Sequence, residues 1–289
     1  MPNTVFSYDR QNLPVLPPRP ERSNKRTFGR VLCICGSEGM AGAAYFAAKA
    51  AYRAGAGLVE ILTPTVNRPV LQTLLPEAIV TGYEEQAWKD TLTDAINRAD
   101  AIVIGCGLGQ TERSRRVLAY TLRNRGEKPT VIDADGLNLI SRHAVLLSYA
   151  KGAVLTPHPL EMSHLCGRSV EEILADPVTV AFDYAKAHGV ICVLKDHETV
   201  VSDGTEKVYQ NTTGNSGMAT GGSGDVLAGM IGGILAQSQN RSLSDMELTA
   251  LTVYLHGLCG DLSAERLGEH SVMASDLLDA IPDAMKTIQ

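Results

Sequence analysis

The chain has 289 residues, of which 44% are hydrophobic and 20% are charged, a composition ordinary for a globular protein. A formal net charge of −6 and a pI near 5.7 argue against a nucleic-acid-binding protein, because phosphate backbones recruit basic surfaces. The same composition is compatible with an anionic small-molecule ligand, since helix N-termini and backbone amides bind anions without net positive charge.

The sequence shows no targeting or membrane-spanning signal. Its N-terminal residues lack an apolar signal-peptide core, and no apolar run approaches the roughly 20 residues that span a bilayer. Six scattered cysteines form no CxxC pair, so we interpret them as free thiols, mostly buried, in a reducing compartment. Of the six cysteines, Cys33 and Cys35 are expected to point to opposite faces of one strand. These features predict a cytoplasmic protein that binds no membrane.

Predicted strands and helices alternate after a polar, proline-rich N-terminal arm over residues 1–29. The strand candidates are RVLCIC (30–35), LVEILTP (58–64), AIVIGCGLG (101–109), PTVIDADG (129–136), AVLTPHP (153–159) and GVICVLKD (189–196). The helix candidates cover residues 41–56, 114–126, 226–237, 245–265 and 273–286. Because the strands are continuously apolar and alternate with helices, the pattern predicts a mostly parallel sheet covered by helices on both faces.

A hairpin interrupts this alternation. The segment TVVSDGTEKVYQ predicts two short strands around Asp203 and Gly204. No internal repeat or interdomain linker is visible, so the sequence predicts a single α/β domain over residues 1–289.

Unusual residues recur where predicted strands end. Ligands of open α/β sheets bind beyond the carboxyl ends of the strands, in the loops that enter helices. The loops with such residues are Gly36–Gly42, Gly105–Gly109, Asp133–Asn138, Thr156–Pro159 and Lys195–Thr199. We therefore expect a ligand site at this edge of the sheet.

The segment NTTGNSGMATGGSGDVLAGMIGGILA (211–236) concentrates glycine before an apolar helix. Gly221, Gly222 and Gly224 would let the backbone approach a phosphate, which the unpaired amides and the positive dipole end of the helix would bind. Asp225 would then act on a hydroxyl beside the phosphate. Alternatively, Asp225 only caps the helix, but a cap does not explain the glycines.

The standard nucleotide-binding motifs are absent from the sequence. GCGLGQ has Gln110 where G-x-G-x-x-G requires its third glycine, and no P-loop motif occurs. A nucleotide would therefore bind to a different scaffold. The histidines show no metal-ligand spacing, which argues against a protein-built zinc site.

Several strand-end residues have two interpretations each. Lys195 could reach a phosphate or be an exposed strand-end lysine. His158, held between two prolines, could bind a substrate or face solvent. Asp133 and Asp135 could hold Mg²⁺ indirectly, fix neighbouring loops or simply form a turn.

Taken together, the motifs resemble the ADP-dependent NAD(P)H-hydrate dehydratase family, which has the ribokinase-like fold. The resemblance runs from LPPRPERSNKRTFGRVL to SDLLDAIP, nearly the whole chain. Its most specific parts are GAAYFAAKAAYRAGAGLVE, GCGLG, VIDADGLNL, LTPHPLEM, VLK and NTTGNSGMATGGSGDVLAG. It implies a three-layer sandwich that restores NADH or NADPH from (6S)-NADHX or NADPHX, converting ADP to AMP and phosphate.

The resemblance also implies roles for individual residues. Ala43, Gly107 and His158 would contact the hydrated nicotinamide nucleotide, and Asp225 would touch this substrate and act as the base. The residues implied to bind ADP are Lys195, Asp196, His197, Glu198, Thr199 and Gly224. Mg²⁺ as a cofactor and a homotetrameric assembly are implied as well, without protein residues assigned to the metal.

The sequence departs from the family pattern at Cys106, where proline is usual, and at Asp196, where glycine usually follows the lysine. Two alternatives share the GGSGD motif. One is a ribokinase-like kinase of a small alcohol or vitamin precursor, which would release a stable phosphorylated product. The other is a nucleotide-binding sensor without catalysis, which the intact Asp225 and glycines disfavour.

Overall fold

The computed structural model describes residue 2 and residues 4–84, 88–237 and 242–289. The strands are β1 (Thr4–Phe6), β2 (Arg30–Ile34), β3 (Leu58–Pro64), β4 (Ile79–Tyr83), β5 (Ala101–Ile104), β6 (Thr130–Ile132), β7 (Val154–Leu155), β8 (Ile191–Leu194), β9 (Val200–Ser202) and β10 (Lys207–Gln210). The helices are α1 (Ala41–Arg53), α2 (Arg68–Leu74), α3 (Trp88–Arg98), α4 (Glu112–Asn124), α5 (Asp135–Arg142), α6 (Pro159–Cys166), α7 (Val170–Ala175), α8 (Pro177–His188), α9 (Ser223–Leu235), α10 (Asp245–Leu267) and α11 (Ala274–Lys286).

The strands form one sheet in the order β1-β10-β9-β8-β7-β6-β5-β2-β3-β4. Only β9 runs antiparallel to its neighbours β8 and β10 among the described residues, so the predicted hairpin and the mostly parallel sheet are confirmed. Strand β1, from the N-terminal arm, pairs with β10 at one edge of the sheet and places Thr4 opposite Lys207.

Helices cover both faces of the sheet, which gives three layers. One core lies between the sheet and α1, α2 and α9–α11, and the other lies beneath α3–α8. The expectation for Cys33 and Cys35 is wrong, because residues two apart along a strand point to the same face, and both thiols lie in the first core. Over the described ranges, no helix has the length and apolar character to cross a membrane.

Strands β6, β7 and β8 bring three strand-end loops side by side. They are adjacent and parallel, with Val131 opposite Val154 and Leu155 opposite Cys192. Asp133, Thr156 and Lys195 follow the ends of these strands directly, and Lys195 N donates a hydrogen bond to the Pro157 carbonyl oxygen (2.8 Å). Three of the five loops expected to converge therefore lie side by side in the fold.

Helix α9 packs closely along α1 through a row of small residues, called here the α1–α9 seam (Ala47, Ala51, Gly229 and Gly233). A Cβ atom built on Gly229 would lie 2.1 Å from the Ala47 carbonyl oxygen, and one on Gly233 would lie 2.5 Å from that of Ala51. Only glycine permits this approach. The seam fixes the position of α9, whose first turn faces the strand ends.

Candidate active site

A cavity of about 1000 Å³ opens at the carboxyl ends of β6–β8 and the beginning of α9. Its walls come from loops that are distant in sequence, as the strand-end argument predicts. Among its lining residues are Asp133, His158, Lys195, Thr199, Asp225 and His256. The volume suits a ligand of nucleotide size.

The first turn of α9 presents uncapped backbone amides. Its N-cap is Gly222, with φ +96°, and no side chain caps the helix there. Asp225 lies three residues further on, inside the first turn, so the interpretation of Asp225 as the cap is wrong. A helix beginning of this kind favours an anion.

Asp133 is a buried acid that binds three neighbours. Its Oδ1 accepts hydrogen bonds from Lys195 Nζ (2.8 Å) and Thr156 Oγ1 (2.6 Å), and its Oδ2 lies 3.8 Å from the Cys106 thiol. Burial alone would raise the pKa of this carboxyl, but the Lys195 ammonium and the hydrogen bonds outweigh it and lower the pKa. Asp133 is therefore an anion at neutral pH.

Lys195 is held beside the first turn of α9. Its ammonium contacts Asp133 and lies 4.0 Å from Glu161 Oε2. Burial disfavours the charge, but the two carboxylates overcome it and raise the Lys195 pKa. A Cβ atom built on Gly224 would lie 3.4 Å from Lys195 Nζ, so the ammonium and the helix amides face one space. The interpretation of Lys195 as a merely exposed lysine is therefore wrong, since its side chain is only 21% exposed.

Asp225 has the chemistry of a base. Burial and the neighbouring Asp133 raise its pKa to about 6, whereas Lys195 acts in the opposite direction. A carboxylate with such a pKa is ionised at neutral pH and accepts a proton more readily than an exposed aspartate does.

His158 is the N-cap of α6, and its side chain is both exposed to solvent and held in place. Its Nδ1 accepts from the Glu161 amide (3.2 Å), and the Glu161 carboxylate accepts from the His158 amide (2.9 Å). This reciprocal capping fixes the ring. The imidazole is 47% exposed and lines the cavity.

The loop after Lys195 turns back on itself. Thr199 Oγ1 donates to the Asp196 carbonyl oxygen (3.0 Å), and Asp196, His197 and Thr199 line the cavity. The Glu198 carboxylate instead accepts from Gln210 Nε2 (2.6 Å) and is not among the lining residues. Counting Lys195 itself, four of the five residues from Lys195 to Thr199 therefore line the cavity.

Ala43 and Gly107 lie together. Gly107 has φ +59°, and a Cβ atom built on it would come 2.8 Å from the Ala43 side chain. Neither lines the cavity described above. Gly107 follows Cys106, whose thiol contacts Asp133, so this pair borders the acidic end of the site.

His256 is a buried site residue that the sequence did not reveal. Its Nε2 lies 3.0 Å from the Ser223 carbonyl oxygen, which can only accept, so Nε2 carries the proton. Burial lowers the pKa of His256 to about 4, which keeps it neutral. Its only sequence signal is a lone histidine within the apolar stretch of α10.

The acidic end of the site does not fit a protein-built magnesium site. Cys106, Asp133 and Asp225 bring one thiol and two carboxylate oxygens within 4.8 Å of one another in the described part of the chain. Mg²⁺ requires oxygen ligands, whereas Cys106 offers a sulfur atom. The Cys35 thiol and burial raise the pKa of Cys106 well above its usual value, so this thiol stays protonated. Asp133 is already bound to Lys195 and Thr156.

A doubly covered, mostly parallel sheet with an uncapped helix beginning and an adjacent aspartate defines a ribokinase-like protein. A ribokinase-like protein from Enterococcus faecalis superimposes with a TM-score of 0.87 at 34% identity, covering 98% of this chain and 96% of that one. The ADP/ATP-dependent NAD(P)H-hydrate dehydratase of Bacillus subtilis, co-crystallised with ATP and Mg²⁺, gives 0.81 at 31% identity, with 96% and 99% covered.

Residues 31–283 match the family model described as NAD(P)H-hydrate dehydratase, and the chain belongs to this family. The ADP-dependent (S)-NAD(P)H-hydrate dehydratase of Neisseria meningitidis serogroup B is 38% identical over 255 residues, covering 86% of this chain and 82% of that protein. The chain also matches bifunctional NAD(P)H-hydrate repair enzymes, of whose length it spans about half.

Proposed function

We propose that the chain dehydrates (6S)-NADHX and NADPHX to NADH and NADPH, with ADP converted to AMP and phosphate. Family membership supports the substrate class. The observation that carries the chemistry is the position of Asp225, partly desolvated in the first turn of α9 and beside Lys195.

The reaction must first convert the C6 hydroxyl, which is a poor leaving group, into a good one. The C6 oxygen attacks the terminal phosphorus of ADP, the P–O bond to AMP breaks, and Asp225 takes the hydroxyl proton. The C6–O bond then breaks with its electron pair remaining on phosphate. The departing phosphate takes a proton from C5, and the electron pair of that C–H bond restores the ring double bond. Phosphoryl transfer depends mainly on positioning and charge stabilisation, which an oriented carboxylate, an ammonium and helix amides supply.

The ligands would divide the site between them. The Lys195–Thr199 loop and Gly224 border the space for ADP, whereas Ala43, Gly107 and His158 would contact the hydrated nicotinamide. Asp225 would lie where the two ligands meet. Glu198 would bind ADP only if its contact with Gln210 changed.

Magnesium would accompany the nucleotide. Since the acidic side chains do not form a magnesium cage, the ion would be held by the ADP phosphates and water, which is its usual binding mode in nucleotide sites. Bound there, it would supply charge neutralisation. We also propose a cytoplasmic location, a homotetramer and a single domain over residues 1–289.

The decisive test is incubation of the purified protein with NADHX and ADP. We expect the near-ultraviolet absorbance of NADH to return and inorganic phosphate to appear in equal amount, with neither product when ADP is omitted. A stable phosphorylated product without NADH would identify a kinase instead. Binding of ADP without any turnover would identify a sensor.

A further inference from the structure

Asp133 lies close to both Lys195 and Asp225, the two charged residues to which the proposed reaction assigns roles. One of its oxygens accepts from Lys195 Nζ at 2.8 Å, and the other lies 3.6 Å from the position that a Cβ atom on Gly224 would take. The side chain is 2% exposed. No ligand atom needs to touch Asp133 for it to influence both partners.

The contact with Lys195 fixes an otherwise flexible ammonium. A lysine side chain has four rotatable bonds and loses conformational entropy when it is fixed. Asp133 offsets that loss before ADP arrives, and Glu161, 4.0 Å from the ammonium, adds attraction from the other side. The ammonium is therefore already oriented toward the first turn of α9.

Asp133 also lies close to Asp225 and influences the protonation of its carboxylate. Two carboxylates in a buried site repel, which favours proton uptake by the one without its own cation. Asp133 has Lys195 and Thr156 as partners. Asp225 has no such ion pair within 4.0 Å among the described residues, so the proton goes to Asp225.

We propose that Asp133 is a positioning residue that orients the Lys195 ammonium toward the bound phosphates and sets its own negative charge against Asp225. This inference rests on the proposed function for its kinetic consequences. The electrostatic coupling among Asp133, Lys195 and Asp225 is a property of the protein without ligands and can be measured there. Asp133 Oδ1 is occupied by Lys195 and Thr156 and Oδ2 faces the Cys106 thiol, so this group of side chains does not offer Mg²⁺ an all-oxygen cage.

The other titratable groups near this triad are few. Those facing Asp133, Lys195 or Asp225 from the neighbouring elements are Cys35, Cys106, Asp135, Glu161 and His256. The thiols are kept protonated by raised pKa values and His256 is neutral, so they do not change charge near pH 6. Asp135 is bound by the Gly109 amide and by Gln110.

The test compares wild type with Asp133→Asn. Carboxyl ¹³C NMR, with the Asp225 signal assigned from Asp225→Asn, follows the titration of Asp225 without any substrate. We expect Asp133→Asn to move this titration to lower pH, and the acid limb of the kcat profile with it. We expect kcat to fall about 100-fold, because the ammonium is no longer oriented. An Asp225 titration that stays in place would overturn the proposal.

The titration of Lys195→Met alone provides a second test, which does not depend on the folding of Asp133→Asn. Loss of the ammonium leaves two carboxylates without a cation, so the apparent titration of the pair should move to higher pH. A shift to lower pH, or none, contradicts the coupling. In ADP binding, Lys195→Met should cost less in the Asp133→Asn background than in wild type, and strictly additive costs would contradict the orienting role.

Thr156→Val is the matched control. It removes a neutral hydrogen bond to the same Asp133 oxygen and leaves all three charges in place. The Asp225 titration should therefore move less than in Asp133→Asn, and an equal shift would contradict an electrostatic effect. Failure of the proposed function would look different, since wild type would then not turn over NADHX with ADP while the NMR shifts remained.

Discussion

Helix α9 begins at an open cavity and continues into packed protein, and glycines occur in both parts. At the beginning, Gly224 has as its nearest neighbours the charged ends of Lys195 and Asp133. Two turns later, Gly229 and Gly233 meet the main chain of α1, and Gly232 meets the side chain of Val103. The glycines of one continuous segment therefore border an open cavity at its beginning and allow close packing further along the helix.

This difference changes how the glycine-rich segment is interpreted. The phosphate explanation applies to the residues up to Asp225, which leave amides free and keep the cavity open. It does not apply to the seam glycines, whose missing side chains are replaced by another helix. Function and stability should therefore respond separately to substitutions in the two parts.

The largest expected effect is on turnover at the open end. Asp225→Asn preserves the side-chain shape but cannot accept the hydroxyl proton, so NADHX turnover should fall by about 10²–10⁴-fold. ADP affinity should remain close to wild type, as isothermal titration would show. Turnover near wild type would remove Asp225 from the role of base.

At the packed end, Gly229→Ala should reduce the free energy of unfolding by roughly 3 kcal/mol, because the added methyl meets main-chain atoms of α1. Urea denaturation measures this change. Gly221→Ala is the control, since a Cβ atom there meets nothing within 4 Å. If both variants lost equal stability, the contrast between the two parts of the segment would fail.

The Asp225 carboxylate should also make the stability of the protein depend on pH, apart from any effect on turnover. Its pKa is about 6 in the folded chain against an ordinary 3.8, so the folded state binds more protons than the unfolded state between these values. The resulting stabilisation is complete below pH 3.8 and is lost as the pH rises through 6. Asp225→Asn should therefore gain about 3 kcal/mol relative to wild type above pH 6. Denaturation at neutral pH and near pH 4 should show this gain only at the higher pH.

The smallest effect is expected for Gly224→Ala. Its methyl would lie 3.4 Å from Lys195 Nζ, in the space proposed for phosphate. We expect ADP binding to weaken about tenfold, or 1.4 kcal/mol, with little change in unfolding, because alanine is a better helix former than glycine. A large loss of stability with unchanged ADP affinity would place Gly224 with the packing glycines instead.

The sequence predicted the architecture where its signals were strong. The apolar strands from β5 to β8, the hairpin of β9 and β10, and helices α1 and α9–α11 were all anticipated. Residues 66–98 were not assigned, although they form α2, β4 and α3. Strand β4 lies at the edge of the sheet and exposes Ile79, so it lacks the continuous apolar run of a central strand.

The sequence predicted only those parts of the site that lie at the ends of predicted strands or in recognisable motifs. Asp225 and Lys195 follow recognisable motifs, and the fold brings them together. The contacts of Asp133 with Thr156 and Cys106 depend on the order of β5, β6 and β7 in the sheet, which no local pattern gives. His256 was missed because it lies in the buried, largely apolar middle of α10, where no sequence pattern marks its one polar contact.

The seam between α1 and α9 also limits which second-site suppressors can arise. A methyl at Gly229 would strike the Ala47 carbonyl oxygen, a main-chain atom that every residue type at position 47 retains. Trimming the neighbouring side chain therefore makes no room, and revertants of Gly229→Ala should restore glycine itself. Since α1 carries Ala43 and α9 carries Asp225, this glycine also sets the distance between two helices to whose residues the proposed function assigns substrate contacts.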